Sequence, residues 1–463
     1  MRGVRSENDV ETIIQADKEF VWHHIKPHQV FELQEQMVVA EGEGLILRDI
    51  RGREYLDATS GGVWSVILGY GQDRIAEAVC DQLKAMPYYA GTTGNIPAAQ
   101  LAERLISLMP GMGRVFFSNS GSEANEKAFK LIRQGAHMEN AGNGKHKVLF
   151  RHRDYHGTTL GALSASGQPE RREGFGPLCP GFSEFPHALC YRCPFEAEYP
   201  ACDVQCARAV ETAILEEGPD TVGGVIVEPI TAGGGIIPPV PEYYTLVHEI
   251  CRKYGVLLIM DEVVCGFGRT GTWWGYEQYD VIPDMVTLAK GMASSYEPLS
   301  ATVVRQSIFD RFVNDINDPG QRLNFFRDIS TYGGCTGPMR AALETIQILE
   351  EENLIENSRV MGAHLLEGLK ELHDLPIVGD VRGMGLFCGV EFVQDKATKT
   401  PITEGLMATL MGGVKEEGVL VGRTYSSIPG NNTIMNFAPA LTISRDQVDT
   451  IVSAVRRAIE KAC

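Results

Sequence analysis

The feature that most constrains this chain is an apolar run, residues 256–260, that leads directly into two carboxylates, Asp261 and Glu262. A continuous apolar run of this length predicts a strand that is buried on both faces, as in parallel sheets. In open α/β sheets, ligands bind beyond the carboxyl ends of the strands. Because a buried carboxylate is costly without a positive partner, the sequence predicts a cationic group near Asp261.

Other short apolar segments alternate with amphipathic segments through the middle of the chain. This alternation is typical of βαβ units in a mostly parallel sheet, and no repeat of 20–50 residues accompanies it. The predicted strands are residues 115–117, 148–150, 222–227, 256–260, 285–288 and 300–304. We therefore predict an α/β fold for this part of the chain.

The C-terminal part has a different pattern. We expect a helix near residues 339–351, a strand-like segment at 379–392 and a final amphipathic helix from Ser444. These elements predict a smaller α+β domain that the N-terminal segment joins. The predicted division is a large α/β domain over residues 61–335 and a small domain over residues 1–60 and 336–463.

Composition excludes several classes of function. The 463 residues include 42 basic and 60 acidic side chains, a net charge of −18. This charge argues against binding to nucleic acid or anionic membranes, and an anionic substrate would need local cations. The sequence shows no targeting segment and no apolar run long enough to span a membrane. Its 11 scattered cysteines favour a reducing cytoplasm over a disulfide framework.

Four cysteines lie close together in the sequence, at Cys190, Cys193, Cys202 and Cys206. Four thiolates at such a spacing are able to hold a structural zinc ion. The alternative is a loop with half-buried free thiols, since cysteine packs as a small hydrophobic residue. We favour the second interpretation and predict no metal site.

A strand, a turn of small polar residues and a helix follow one another in VFFSNSGSEA, residues 115–124. Free backbone N–H groups and the helix dipole make such a helix start attractive to phosphate. Gly121 lets an anion approach the backbone, and Ser120 and Ser122 add hydroxyl groups. The alternative is a capping box, in which Ser120 and Glu123 cap the helix reciprocally.

A lysine ends another predicted strand. Lys290 follows the apolar segment 285–288 and lies 29 residues after Asp261, which suits two neighbouring strands joined by a crossover. The simplest interpretation is a Lys–Asp ion pair. Together with the phosphate cradle, however, the two residues predict a phosphorylated pyridine aldehyde as cofactor. Lys290 would form a Schiff base with its aldehyde, and Asp261 would keep its ring nitrogen protonated.

Several motifs carry a resemblance to a known family: SNSGSEAN at 118–125, DYHGTT at 154–159, VEP at 227–229, MDEVVCGFGRTG at 260–271 and LAKG at 288–291. In their order and spacing, the chain resembles the class III (omega) aminotransferases, pyridoxal-phosphate enzymes of fold type I. The resemblance extends from about residue 41 to residue 444. It implies a seven-stranded, mostly parallel sheet between helices, plus a smaller α+β domain.

The resemblance implies a role for each matching residue. Lys290 would be the Schiff-base lysine, and Asp261 would bind the pyridinium nitrogen. The other expected contacts with pyridoxal phosphate are a ring stacked on Tyr155, a phosphate held by Gly121 and Ser122, Val263 on the second ring face, and Glu228 close to the cofactor.

The same resemblance implies a homodimer, and a tetramer stays open. Thr331 matches a threonine that reaches the phosphate of the neighbouring subunit, so that each site is complete only in a dimer. Residues 333–336 of this chain, Gly-Gly-Cys-Thr, depart from the Ser-Gly-His-Pro that many family members have there. The departure leaves Thr331 intact.

The chain most resembles pyruvate-dependent members of the family, which implies pyruvate as amino acceptor and a small omega-amino donor, above all taurine. Arg423 matches a mobile arginine that grips a carboxylate, and Trp64 would line the substrate pocket. β-Alanine or a broader range of amines stays open as donor, as does a decarboxylase or an aminomutase. An NAD-dependent dehydrogenase is disfavoured because no G-x-G-x-x-G follows a strand.

Overall fold

The structure of the chain, a computed structural model, describes residues 6–33, 36–139 and 144–463. Its α-helices are α1 Glu7–Phe20, α2 His28–Leu33, α3 Asp73–Ala85, α4 Ile96–Ser107, α5 Gly121–Glu139, α6 Leu160–Ser164, α7 Pro169–Arg172, α8 Gln205–Glu217, α9 Tyr243–Tyr254, α10 Gln306–Asp310, α11 Thr336–Glu351, α12 Leu354–Lys370, α13 Glu404–Glu416 and α14 Arg445–Ala462. Its strands are β1 Val39–Glu43, β2 Ile46–Asp49, β3 Glu54–Asp57, β4 Met112–Ser118, β5 Lys147–Arg151, β6 Phe182–Phe185, β7 Val222–Val227, β8 Leu257–Asp261, β9 Met285–Leu288, β10 Ser300–Arg305, β11 Val378–Gly383, β12 Cys388–Asp395, β13 Thr400–Pro401, β14 Val419–Leu420, β15 Gly422–Arg423 and β16 Ile434–Phe437.

The largest sheet has seven strands in the order β4-β10-β9-β8-β7-β5-β6. The five strands from β9 to β6 are parallel to one another, and only β10 runs antiparallel to both of its neighbours. The predicted α/β fold with a mostly parallel seven-stranded sheet is therefore confirmed.

Alternate residues of the central strands face opposite sides of this sheet. In β8, Leu258 and Met260 belong to one apolar core, where Val247 of α9 also lies. Ile259 belongs to the other core, with Ile132 of α5. Because helices cover both faces, these strands need the continuous apolar sequences that predicted them.

Two predicted strands, 222–227 and 285–288, coincide with β7 and β9. The predicted strand 256–260 is one residue out of place, because Asp261 itself pairs with Thr287 of β9 as the last residue of β8. The Asp261 carboxylate therefore lies at the carboxyl end of β8, at the edge of the sheet where the parallel strands end.

The predicted strand-like segment 379–392 is instead two strands, β11 and β12, which form an antiparallel hairpin. Gly385 lies in the turn with φ +56°, and a Cβ there would stand 2.3 Å from the carbonyl carbon of Thr270. Only glycine tolerates both this conformation and this close approach. The apolar pattern predicted extended structure but not the position of the turn.

Two smaller sheets lie outside the seven-stranded one: β1-β2-β3-β14, and β11-β12-β16-β15 with β13 paired to β12. Parallel pairing of β14 with β3 joins residues 419–420 to residues 56–57. The C-terminal helix α14 is capped by Ser444, whose hydroxyl accepts the N–H of Gln447. The division into domains 61–335 and 1–60 with 336–463 stays a prediction, and its residues 1–5, 34–35 and 140–143 lie outside the described part. Within that part, no helix is long and apolar enough to cross a membrane.

Candidate active site

Three neighbouring parallel strands bring three predicted residues to one edge of the large sheet. Glu228 directly follows β7, Asp261 ends β8, and Lys290 lies two residues beyond the end of β9. We call Glu228, Asp261 and Lys290 the strand-end group. Lys290 adopts φ +45°, a left-handed conformation that is strained for a side chain of this kind and that occurs often at functional sites.

Asp261 is 3% exposed and is held by three groups. Its Oδ2 accepts a hydrogen bond from Asn125 Nδ2 at 2.8 Å and lies 2.7 Å from His156 Nδ1, a contact that requires the proton on Nδ1. Its Oδ1 accepts the N–H of Val263 at 3.1 Å. These contacts fix the carboxylate in one orientation.

Asn125 is itself fixed by two further hydrogen bonds. Its Nδ2 also donates to the carbonyl of His156 at 2.7 Å, and its Oδ1 accepts the hydroxyl of Thr287 at 2.8 Å. Asn125 lies on α5 and Thr287 on β9, so helix, loop and strand all converge on Asp261. A buried hydrogen-bonded network of this kind makes a site rigid, although His156 Nε2 has no hydrogen-bond partner in it.

The simple interpretation of Lys290 as the ion-pair partner of Asp261 is wrong. No ion pair between the two is formed, and within the described ranges the ammonium group of Lys290 makes no hydrogen bond. Its Nζ instead lies 5.2 Å from the ring centre of Trp64. Burial lowers the pKa of Lys290, against the opposing effect of the Glu228 and Asp261 carboxylates. A lowered pKa makes the neutral, nucleophilic amine more accessible.

Glu228 is buried and accepts two backbone N–H groups, from Tyr155 at 2.8 Å and from Ala232 at 3.1 Å. Burial raises the pKa of Glu228 well above its usual value, and the carboxylates of Asp154 and Asp261 add to the shift. The carboxyl group therefore orients the backbone of Tyr155 beside the strand-end group.

Tyr155 is half-buried beside this group. Burial raises the pKa of its phenol, an effect that the nearby Arg171 cation opposes and that Asp261 and Glu228 reinforce. The guanidinium carbon of Arg171 lies 5.8 Å from the centre of the Tyr155 ring. The predicted stacking residue is thus placed between the carboxylates and a cation.

The predicted phosphate cradle is the start of α5, at Gly121. Among the described residues, no acceptor bonds to the N–H groups of Gly121 or Ser122. Ser122 Oγ accepts the N–H of Thr158 at 3.0 Å. A Cβ at Gly121 would stand 2.9 Å from Val263 Cγ2, so the structure brings the predicted Gly121 and Val263 together and leaves no space for a larger residue.

The predicted capping box is only half formed. Ser120 Oγ accepts the N–H of Glu123 at 3.3 Å, as expected. The Glu123 carboxylate accepts the N–H of Asn119 at 2.9 Å rather than that of Ser120. The cap therefore leaves the N–H groups of Gly121 and Ser122, in the first turn of the helix, available to an anion.

Trp64 ends a tight turn that contains two glycines with positive φ, Gly61 and Gly62, and is itself at φ +65°. Its indole Nε1 donates to Asn436 Oδ1 at 3.1 Å, and its ring packs edge-on against Phe387. These contacts hold the aromatic ring over Lys290, where a wall of the substrate pocket is predicted.

Two predicted residues are not joined to the strand-end group. Arg423 forms a two-pronged ion pair with Glu404, at 2.8 and 2.9 Å. Thr331 is exposed at the start of a short 3₁₀ helix, and within the described segments it makes no side-chain hydrogen bond. Their predicted roles therefore require either a movement, for Arg423, or a second subunit, for Thr331.

The four clustered cysteines all line one small apolar pocket, which His187 also lines: Cys190, Cys193, Cys202 and Cys206. Across residues 6–33, 36–139 and 144–463, however, no group of three or more His, Cys, Asp or Glu side chains is placed to hold a metal ion. All four are free thiols.

Sequence reasoning missed Asn125 and His156, which hold the Asp261 carboxylate, and Thr287, whose hydroxyl holds Asn125. The first two lie inside motifs that carry the family resemblance, SNSGSEAN and DYHGTT. A signal was present, because a buried carboxylate at a strand end needs hydrogen-bond donors and these motifs contain them. Their partners, however, are 105 to 162 residues away in sequence.

The sequence of this chain is similar to those of known aminotransferases. The sequence profile of the family described as "Aminotransferase class-III" matches residues 29–459. The taurine–pyruvate aminotransferase of Rhodobacter capsulatus is 50% identical over 463 residues, covering 100% of this chain and 99% of that protein. The hypotaurine/taurine–pyruvate aminotransferase of Paracoccus denitrificans is 47% identical over 455 residues, 98% of each protein.

Solved structures agree with these sequence matches. An aminotransferase from Bacillus anthracis superposes with a TM-score of 0.94 at 40% identity, covering 99% of this chain and 100% of that one. The omega transaminase from Pseudomonas jessenii in complex with PMP superposes with a TM-score of 0.90 at 32% identity, covering 97% of this chain and 98% of that one. The family predicted from the motifs is confirmed: the chain belongs to the class-III aminotransferases.

Proposed function

We propose that this protein is a pyridoxal-phosphate-dependent aminotransferase that transfers the amino group of taurine to pyruvate. The products are sulfoacetaldehyde and L-alanine, which together balance the two substrates. The observation that carries the proposal is the strand-end group, in which a rigidly held carboxylate and an unpaired lysine of lowered pKa lie at the ends of adjacent strands. A structural ion pair would have left neither group available.

The residues present fit a phosphorylated pyridine aldehyde. The free N–H groups of Gly121 and Ser122 supply phosphate donors, and the absence of a side chain at Gly121 leaves the backbone accessible. Asp261 would hold the ring nitrogen, and Tyr155 and Val263 would contact the two ring faces. Ser120 lies beside the cradle. When bound, the cofactor accepts an amine at its aldehyde and draws electrons from the carbon next to that amine.

The chain's own side chains then supply binding and proton transfer. Lys290 Nζ would hold the cofactor covalently at rest, and would act as general base once a substrate amine displaces it. It would take a proton from the carbon that carries the amino group and return one on the cofactor side. Burial of Lys290 favours this role, because the base must be neutral to accept a proton. Glu228 would act indirectly, by orienting Tyr155.

Taurine and pyruvate are proposed as substrates because relatives that share 47–50% of the sequence over nearly its whole length carry these substrates in their names. Both substrates are small anions. The net charge of −18 would repel them, so positive side chains at the site must compensate. Arg423 is proposed to bind the carboxylate of pyruvate after it separates from Glu404.

We further propose a cytoplasmic homodimer. Thr331 is exposed and would reach the phosphate in the partner subunit, as the family resemblance implies. Its neighbour Tyr332 is 68% exposed, which is high for a large aromatic side chain and suits a surface that a second subunit covers. Sedimentation of the wild type would report a dimer; a monomer with full activity would refute the role of Thr331.

The test of the function is a panel of amino donors with pyruvate as acceptor, with alanine formation as the readout. We expect taurine to be used fastest, with ping-pong kinetics because both substrates use one site in turn. Borohydride reduction of the purified protein followed by peptide mapping should find the cofactor attached to Lys290. Lys290→Ala is the matched control and should lose both the adduct and the activity.

The outcomes separate the class of reaction from the substrate. If β-alanine or an aryl amine outpaces taurine by about tenfold or more, the taurine assignment is wrong and the aminotransferase stands. If the reduced protein carries cofactor at a residue other than Lys290, the proposed role of the strand-end group is refuted.

A further inference from the structure

Arg171 lies on α7, the short helix that follows the segment of Tyr155 and His156. This helix packs against the loop that follows β15. Arg171 Nη2 donates to the carbonyl of Tyr425 at 3.1 Å, and the Glu170 carboxylate accepts Asn432 Nδ2 at 2.8 Å. The helix and loop therefore place Arg171 beside Tyr155 at a fixed position.

The guanidinium group of Arg171 is incompletely paired. Its Nε is buried without a hydrogen-bond partner, and in the described segments of the chain no carboxylate forms an ion pair with it. Burial lowers the pKa of Arg171, with Tyr155 and Glu170 opposing the shift. A half-buried cation with a free N–H is costly unless an anion meets it in another state of the protein.

The three other described arginines with an unpaired Nε do not offer the same site. Arg133 is half-buried, but its guanidinium carbon lies 5.1 Å from the centre of the Phe182 ring, which is no predicted cofactor contact. Arg153 is 4% exposed and Arg269 is 0% exposed, so both are enclosed by protein. Arg171 is half-buried and its guanidinium carbon lies 5.8 Å from the ring of Tyr155. Of these four arginines, Arg171 alone combines partial access, an unpaired N–H and a predicted cofactor contact.

Arg423 makes an informative contrast. Its two-pronged contact with Glu404 occupies both terminal nitrogens, and its Nε donates to the carbonyl of Thr424. Both arginines meet at Tyr425, since the Arg423 guanidinium lies 5.3 Å from that ring. An anion that reaches this position finds Arg171 without a competing carboxylate, whereas Arg423 must first release Glu404.

We propose that Arg171 binds the anionic head of the substrate through its terminal N–H groups: first the sulfonate of the amino donor and then, together with Arg423, the carboxylate of the acceptor. Two parallel hydrogen bonds from a guanidinium fork match two oxygens of either group. The inference deepens the proposed function, on which it rests, by naming the residue that selects acidic substrates over neutral amines.

The test uses the holoenzyme and a matched pair of ligands that lack the reacting amine, ethanesulfonate and ethanesulfonamide. The two differ mainly in the charge of the head group. For Arg171→Gln we expect ethanesulfonate to bind at least about tenfold more weakly by calorimetry, while ethanesulfonamide binding changes little. The KM values of taurine and pyruvate should both rise by a similar factor, and the rate with an uncharged aryl amine in a single half-reaction should be retained.

Arg172→Gln is the control variant, because Arg172 is adjacent in sequence but lies 3.6 Å from Glu184 and over the ring of Phe150. It should leave all of these values unchanged. Arg171→Lys should restore part of the ethanesulfonate affinity, and the cofactor content of each variant reports whether it has folded.

The outcomes distinguish this inference from the proposed function. If wild type uses taurine and pyruvate but Arg171→Gln binds ethanesulfonate normally, the inference is overturned and the function stands. The inference is likewise overturned if Arg423→Gln alone weakens ethanesulfonate binding. If wild type does not use taurine, the substrate assignment fails, and ethanesulfonate binding still decides whether Arg171 is an anion site.

Discussion

The structure predicts that Asn125 is the main structural support of Asp261. Asn125 is 1% exposed and makes three hydrogen bonds, to Asp261, to the carbonyl of His156 and with the hydroxyl of Thr287. The substitution Asn125→Ala removes all three at once. It leaves the Asp261 carboxylate with His156 and the N–H of Val263, and it strands the Thr287 hydroxyl in the core.

The size of the effect follows from these three bonds. A hydrogen bond to a charged group contributes about 1.5–3 kcal/mol and a neutral one about 1 kcal/mol. Asn125→Ala should therefore lower the free energy of unfolding by about 3–5 kcal/mol. An unfolding entropy of about 2.1 cal/mol/K per residue gives a total unfolding entropy of about 1 kcal/mol/K for the 463 residues. The fall in Tm is the change in free energy divided by this entropy. The expected fall in Tm is about 3–5 °C.

Differential scanning calorimetry of the purified variant measures this shift. Asn119→Ala is the matched control, because Asn119 is the same residue type in the same motif but is half-buried and its side chain donates only to Glu123. In this variant the Glu123 carboxylate still accepts the backbone N–H of residue 119 and the hydroxyl of Ser330, and water is able to replace the half-buried bond that is lost. Asn119→Ala should therefore lower Tm by no more than about 1 °C. Equal shifts for the two variants would refute the claim that the network around Asp261 stabilises the fold.

Three further predictions concern pH, substrate and cofactor. Burial raises the pKa of Glu262 to about 8 in the folded protein. The contribution of this carboxyl group to the free energy of unfolding is therefore complete below the unfolded pKa of 4.5 and is lost as pH rises through about 8. Glu262→Gln should make the free energy of unfolding, measured by denaturation, fall less steeply over this pH range. Arg423→Ala should raise the KM of pyruvate while cofactor content stays constant. Glu404→Gln removes the ion pair with Arg423, which contributes about 1 kcal/mol at most, and should lower the KM of pyruvate by up to about fivefold. An unchanged KM in both would exclude Arg423 from the substrate site. Gly121→Ala places a Cβ 2.9 Å from Val263 Cγ2 and should weaken cofactor binding by about tenfold in equilibrium dialysis, and normal affinity would argue against the cradle.

Periodicity and strand ends were readable from the sequence because they are local properties. An apolar run that is buried on both faces needs no partner to be recognised, which is why the bounds of β7 and β9 match their predicted ranges. The turn at Gly385 was missed because an apolar pattern of alternate residues continues on both sides of it. The antiparallel direction of β10 was likewise invisible, since one strand does not specify its neighbour.

The motifs alone predicted that Asp261 and Lys290, 29 residues apart, share a sheet edge, because strand, crossover and strand fix which residues end side by side. Whether the two form an ion pair was beyond the sequence. Tertiary packing decided it, by pairing Asp261 with Asn125 and His156 and by placing the amine of Lys290 over Trp64.

For Arg423 and Arg171, too, the sequence and the tertiary structure determine different properties. By resemblance the sequence favoured Arg423, and nothing in the local pattern distinguished Arg171 from its neighbour Arg172. Only the folded chain reveals that Glu404 occupies Arg423 and that Arg171 has a free N–H beside Tyr155. The physical reason is that the state of a charged group depends on which groups surround it in space, and these come from segments that lie far apart in the chain.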